Sequence, residues 1–281
     1  MKSKIQIIIS MVLFGTISLF VRNIPVPSSL TALCRAGIAL ASLAAMQAAQ
    51  GRLPKLGDMG GDAVLLFLSG AAMGFNWIFL FEAYKYTTVS VATLSYYFAP
   101  VLVMLACPVL FRERMTKKQV MCFVGSTVGL VLVIDVGGFE GGAHLKGVAF
   151  GLAAAVLYAS VILMNKKITR VSGIDRTIMQ FAAAAAVLLP YVLLTGEMRF
   201  EGMTPLGWGC LACLGLLHSG VAYVLYFSSL RSLPGQEAAI LSYIDPLVAV
   251  LISLTVLGEP VTALQMVGGA MILAFTLVNE I

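Results

Sequence analysis

The chain has 281 residues, 60% of them hydrophobic and only 11% charged, with 18 Lys and Arg against 13 Asp and Glu and a mean hydropathy of +0.98. A water-soluble domain carries about 25% charged residues, so the polar surface needed to coat a soluble globule is missing and the solvent for most of this chain is lipid. The net charge of +5 follows the connectors between apolar runs, which excludes a nucleic-acid-binding protein.

Apolar runs of roughly 18–25 residues suffice to cross ~30 Å of hydrocarbon as helix. Ten follow one another, at about 5–22, 28–48, 62–83, 88–110, 118–135, 146–165, 174–195, 204–228, 236–257 and 262–279. The expected fold class is an all-α integral membrane protein of ten transmembrane helices. The first run follows Lys2 and Lys4 like a signal peptide, but Arg22-Asn23-Ile24-Pro25 stands where a cleavage site would, so it reads as an uncleaved span. With the N-terminus inside, thirteen Lys and Arg fall on the cytoplasmic side and four (Arg22, Lys85, Lys146 and Arg199) on the other. That bias places both termini in the cytoplasm of a multi-pass cell-membrane protein. Cys34, Cys107, Cys122, Cys210 and Cys213 all sit in apolar runs and read as buried packing thiols, and no metal or cofactor site is expected.

The segment 74–119, displaced by 146 residues, lands without a gap on 220–265. Gly74/Gly220, Phe81/Phe227, Ala92/Ala238, Tyr97/Tyr243, Pro100/Pro246, Leu105/Leu251, Glu113/Glu259, Thr116/Thr262 and Gln119/Gln265 coincide, 9 identities in 46 positions, against about 3 by chance. The chain reads as a duplication, 1–140 and 141–281. Five spans per copy is an odd number, so the second copy is expected upside down: two inverted five-helix repeats. The loop FRERMTKK carries four positive charges and its counterpart LGEPVTAL none, as inversion requires. Inverted repeats mark secondary transporters, whose substrate site lies near mid-membrane between the halves.

Several repeated features are scaffold. Thr116-x-x-Gln119 and Thr262-x-x-Gln265 match a capping box. Glu113 and Glu259 precede those helix starts, where negative charge suits the positive end. Pro100 and Pro246 fall inside spans 4 and 9, where each removes a donor and frees a carbonyl, at Tyr96 and Ser242; they are candidate hinges.

Polar residues deep in the spans are the candidate site, since a central charge costs about 2.5–3.5 kcal/mol. Asp245, Glu82, Arg35 and His218 are candidates for charge and proton coupling, with Glu82 a possible partner of Arg35. Ser219, Tyr223 and Tyr226 share a helical face by i, i+4, i+7 spacing, as do Tyr158 and Asn165 at i, i+7. Asn76, Trp77, Gln180, Tyr97 and Tyr243 complete the substrate-binding set. Tyr84, Tyr86 and Tyr191 read as interfacial aromatics. A Trp- and Tyr-lined cavity with a carboxylate suits an organic cation or an amino acid.

EAYKYTTVSVATLSYYFAPVLVMLACPVLFRERMT and LRSLPGQEAAILSYIDPLVAVLISLTVLGEPVT resemble the two halves of an EamA-type member of the drug/metabolite transporter superfamily. The features that carry the resemblance are the alanine-bearing starts of spans 4 and 9, Tyr-x-x-Pro at 97–100 and 243–246, and the Glu at 113 and 259. The resemblance implies a central cavity between the halves and alternating access, driven by protons or by exchange, for solutes ranging from amino acids and nucleobases to sugars, choline-like cations and drugs. It carries no ligand residue over to this chain.

The expected function is a secondary active transporter of a small organic metabolite or drug, embedded in the lipid bilayer as a monomer or homodimer. The alternative is a channel or non-transporting receptor. A membrane enzyme is disfavoured: the chain has no HExxH, no nucleotide loop and only two His, and no catalytic residue is assigned.

Overall fold

The computed structural model describes residues 2–51, 60–111, 116–134, 142–168, 170–171, 173–230, 241–242 and 244–280, and all regular structure among them is helical. In chain order the helices are α1 (Lys2–Gly15), α2 (Ile17–Val21), α3 (Ser28–Ala49), α4 (Ala63–Tyr86), α5 (Val89–Tyr96), α6 (Ala99–Phe111), α7 (Lys117–Ile134), α8 (Gly142–Lys167), α9 (Gly173–Leu194) and α10 (Pro205–Cys213). A π-helical segment, Leu214–Val221, joins α10 to α11 (Ala222–Leu230), and α12 (Ile244–Thr255) and α13 (Ala263–Glu280) follow. Helix is what hydrocarbon demands, because each backbone N–H and C=O is then satisfied within its own segment.

Six stretches are long and apolar enough to cross a membrane: Lys2–Val21, Ser28–Ala49, Gly60–Tyr86, Gly142–Asn165, Gly173–Leu194 and Pro205–Tyr226. Shorter apolar helices, Val89–Val103, Ile244–Thr255 and Ala263–Val278, occupy the predicted spans 4, 9 and 10. The 18-residue α7 occupies predicted span 5. The bundle is apolar outside and mixes an apolar core with buried polar groups inside. Val64, Val131, Leu194, Leu206 and Leu251 are exposed, while Ser69, Asn76, Gln180, His218 and Ser219 are buried. Cys122 and Cys210 are buried as expected, but Cys213 lies exposed on the bundle surface, where an apolar wall faces lipid.

The helix starts obey the capping chemistry in the sequence. Thr116 N–H donates to Gln119 Oε1 at 2.8 Å and Gln119 N–H to Thr116 Oγ1 at 3.2 Å. Thr262 and Gln265 repeat the arrangement at 3.1 and 3.2 Å. Thr204 caps α10 by accepting from Gly207 N–H at 3.0 Å, with Pro205 at the first helical position.

α4 packs on α8 and α9, α3 on α9 and the π-helix, α1 on α11 and α12, α5 and α6 on α8, α7 on α13, and α5 on α12. Small residues set the closest crossings, as packing in lipid favours. A Cβ on Gly129 of α7 would lie 2.7 Å from the Gly268 carbonyl of α13, and one on Gly15 2.7 Å from the Asp245 carbonyl. Buried polar bridges tie other helices. Asn76 Nδ2 donates to Ala154 O at 2.6 Å, and Gln180 Nε2 donates to Ser69 Oγ at 2.8 Å and to Asn165 Oδ1 at 3.1 Å.

Connectors alternate between the two ends. At one end Arg22 pairs with Glu259, Thr87 meets His144, Lys146 donates to Tyr86, and Ser29 donates to Glu197. At the other, Gln47 donates to Asp175 and the Arg170 N–H to Asp62.

Gly129→Ala should cost roughly 1–3 kcal/mol, since the neighbour at the crossing is backbone that cannot rotate away. Gly37→Ala, with open space around it, should gain about 0.5–1 kcal/mol. Opposite shifts in melting temperature of the detergent-purified protein are the check. Gln180→Leu should cost about 0.6–1.7 kcal/mol, the range of interhelical hydrogen bonds in membranes, and the same melts read it.

Candidate functional site

The site forms where span 4 interrupts its helix beside α12. α5 closes with Tyr97 N–H on Thr93 O and Phe98 N–H on Ser95 O, and α6 begins at Ala99. Pro100 is therefore the second residue of α6. A missing N–H costs little there. The mid-span kink expected at Pro100 is a helix start instead, which leaves backbone ends at the depth of the cavity.

That cavity has a volume of about 120 Å³ and is lined by Phe14, Gly15, Ile17, Arg35, Trp77, Leu80, Tyr84, Thr93, Tyr96, Tyr97, Tyr158, Tyr223, Asp245 and Ala249. It is smaller than the ~300 Å³ at which ligand pockets usually begin. Tyr97 donates its hydroxyl proton to Asp245 Oδ2 at 2.5 Å, joining the end of α5 to the first turn of α12. Tyr158 stacks on Tyr96 with centroids 5.2 Å apart. Tyr223 meets Phe14 edge-on at 5.2 Å and Phe181 at 5.4 Å.

Arg35 is 3% exposed. Its Nε donates to Ser219 Oγ at 2.7 Å, and its guanidinium carbon sits 4.5 Å from the Trp77 ring centroid. The π-helix makes this possible. Its backbone turns close five residues back, and two side chains bond over the same separation: the Ser219 hydroxyl donates to Leu214 O at 3.0 Å and His218 Nδ1 lies 3.1 Å from Cys213 O. One residue added to the turn delivers Ser219 to Arg35, and such insertions recur at functional sites.

The expected site residues thus divide. Arg35, Trp77, Tyr97, Tyr158, Tyr223 and Asp245 come together on the cavity, with Ser219 behind Arg35. Asn76, Asn165 and Gln180 are the interhelical bridges described above and do not line it. Tyr226 packs with Phe14 on Ile7 and Met11 and does not line the cavity. His218 is buried and fixed, with Nε2 2.9 Å from Thr16 Oγ1 and Phe20 against its ring. Glu82 does not reach Arg35: it pairs with Lys85 at 2.7 Å, one turn along the same helix. Tyr243 lies outside the described residues, as does Glu113.

Glu259 does not cap the helix that follows it. Its Oε2 accepts from Val89 N–H, at the start of α5, at 2.8 Å and from Ser253 Oγ at 2.5 Å, while Oε1 pairs with Arg22. Arg22 and Glu259 line a wide vestibule of about 690 Å³ at that end of the bundle. Tyr84 lines both vestibule and cavity and is the wall between them. It is buried, not the interfacial ring expected. Phe14, Thr93 and Tyr96 were not singled out in the sequence; Tyr96, adjoining Tyr97 and freed as an acceptor by Pro100, is the one with a readable signal.

The EamA-like transporter family profile matches residues 1–135 and again 145–279. The uncharacterized transporter YxxF of Bacillus subtilis (strain 168) is 29% identical over 281 residues, covering 98% of this chain and 89% of its own. An uncharacterized transporter of Archaeoglobus fulgidus is 31% identical over 275 residues, covering 97% and 94%. A crystal structure 19% identical in sequence superposes with a TM-score of 0.66 over 98% of this chain and 96% of that one, which shows the same fold. With two family matches spanning nearly its whole length, this multi-pass membrane chain belongs to the EamA-like transporter family.

Proposed function

We propose that the chain is a secondary active transporter that moves a small organic metabolite across the cell membrane by alternating access. Its two five-helix halves, 1–140 and 141–281, are inverted relative to each other, cross the bilayer ten times in all and leave both termini in the cytoplasm. The observation that carries this reading is the central cavity, walled by Arg35, Trp77 and Tyr97 from one half and by Tyr158, Tyr223 and Asp245 from the other. A site shared between halves changes shape whenever they rock, which is what carriage from one side to the other needs.

Two further observations support it. Much of the packing repeats when the halves are exchanged by 146 residues: α4 on α8 corresponds to α11 on α1, α3 on the π-helix to α9 on α4, and α6 on α8 to α12 on α1, while α3–α9 and α7–α13 correspond to themselves. The connectors following spans 1, 3, 5, 7 and 9 meet at the vestibule end, as an alternating path through the bilayer requires.

Asp245 is the coupling group. It takes and releases a proton as the halves move, and the Tyr97 hydroxyl follows its state because the bond joins the two halves. In proteoliposomes, Asp245→Asn should abolish gradient-driven accumulation while leaving counterflow of labelled solute in place. Tyr97→Phe should weaken accumulation by about 2–10-fold, the worth of one hydrogen bond. Accumulation by Asp245→Asn at the wild-type level would remove the coupling role, and the absence of counterflow in the wild type would favour a channel.

A further inference from the structure

We infer that Arg35 is the anion-binding group of the central cavity and that the solute carried there bears a carboxylate. The inference rests on that cavity being the substrate site.

A buried charge is retained in a protein when it is paired, and Arg35 is almost wholly buried. Its Nε is satisfied by Ser219 and its face by Trp77. Among the described residues no carboxylate lies within ion-pair distance of it, and its two terminal nitrogens have no hydrogen-bond partner. Asp245, the carboxylate on the same cavity, is engaged by Tyr97 instead. The guanidinium is held by one edge and one face, and the edge left over is the one that grips two oxygens at once.

The charge count selects among anions. Arg35 is the only cation lining the cavity among the described residues. One fixed positive charge matches a carboxylate monoanion, whereas a phosphate dianion calls for more. A simple organic amine is disfavoured twice over: it meets a like charge, and the Trp77 face expected to receive it already carries Arg35 at 4.5 Å. The rings of Tyr96, Tyr158 and Tyr223 are left to hold an apolar body. Whether the carboxylate belongs to an α-amino acid, whose ammonium would approach Asp245, or to a plain organic acid is separated by the test.

The full chain, purified in detergent, is melted with two matched sets of probes. One is 3-phenylpropionate, L-phenylalanine, phenethylamine and methyl 3-phenylpropionate; the other is 4-methylpentanoate, L-leucine and isoamylamine. At least one carboxylate should raise the melting temperature saturably by several degrees, as a ligand of the folded state does, and the amines and the ester should not. A response to the amino acids alone supports the Arg35 assignment and adds the ammonium at Asp245; a response to the plain acids supports it without that contact. Arg35→Lys should weaken the responding carboxylate about tenfold by losing the fork, and Arg35→Gln at least about a hundredfold. The comparison of probes on the wild-type chain needs no variant, so a misfolded substitution leaves the test intact. Stabilisation by an amine or the ester equal to that by the acid overturns the assignment, as does failure of every carboxylate in both sets. Counterflow of an amine through proteoliposomes would leave the carrier reading standing while this assignment falls.

Discussion

Hydrocarbon offers no hydrogen bonds, so every polar group placed at membrane depth must find its partner inside the bundle. That constraint accounts for the buried polar bridges of this protein. Asn76 spends its amide on the Ala154 carbonyl, Gln180 bridges Ser69 and Asn165, and His218 is held between Thr16 and Cys213. These groups join helices that have no hydrophobic reason to associate, because lipid tails are as apolar as leucine. Where a carbonyl is approached by another helix instead of by a donor, glycine permits it, as at Gly129 and Gly268. Read this way, a buried polar side chain is evidence of use only after its internal partners have been counted.

That distinction marks where the sequence could and could not be read. The capping boxes at Thr116 and Thr262 were legible because they involve residues three apart on one helix. The apolar runs were legible because length and hydropathy are local properties. Tyr97, Trp77, Tyr223 and Asp245 could be placed on the cavity from their depth and their relation to the 146-residue repeat. Asn76, Asn165 and Gln180 could not be separated from them, since depth is the same for a bridge and for a ligand. Glu82 failed for another reason: Lys85, one turn away on the same helix, draws it to the end of the bundle. The π-helix left no periodic signature, and it carries Ser219, the partner of Arg35.

Glu259 shows how a repeated residue can serve the other copy. It was expected to favour the start of the helix after it, yet its carboxylate satisfies Val89 N–H at the start of α5 and the guanidinium of Arg22. Three chain-distant segments converge on one carboxylate at the rim of the vestibule. A contact of this kind holds one end of the bundle together without filling the vestibule, and it leaves Tyr84 as the barrier between vestibule and cavity.

The two charges of the cavity break the repeat. Displaced by 146 residues, Arg35 corresponds to Phe181 and Asp245 to Ala99. Trp77 corresponds to Tyr223, and the pairing is kept although its chemistry differs: Arg35 lies over Trp77, and Phe181 meets Tyr223 edge-on at 5.4 Å. An aromatic wall is therefore present in both copies, while the cation belongs to the first and the carboxylate to the second. Under the proposed rocking of the halves, the aromatic walls slide as equivalents, but the distance between Arg35 and Asp245 changes with the motion. A solute bound to Arg35 then feels the state of Asp245 only in part of the cycle. Under that proposal two symmetric copies of either charge would tie the solute equally to both halves, and the asymmetry of the two charges would let binding and protonation be linked to which way the cavity opens.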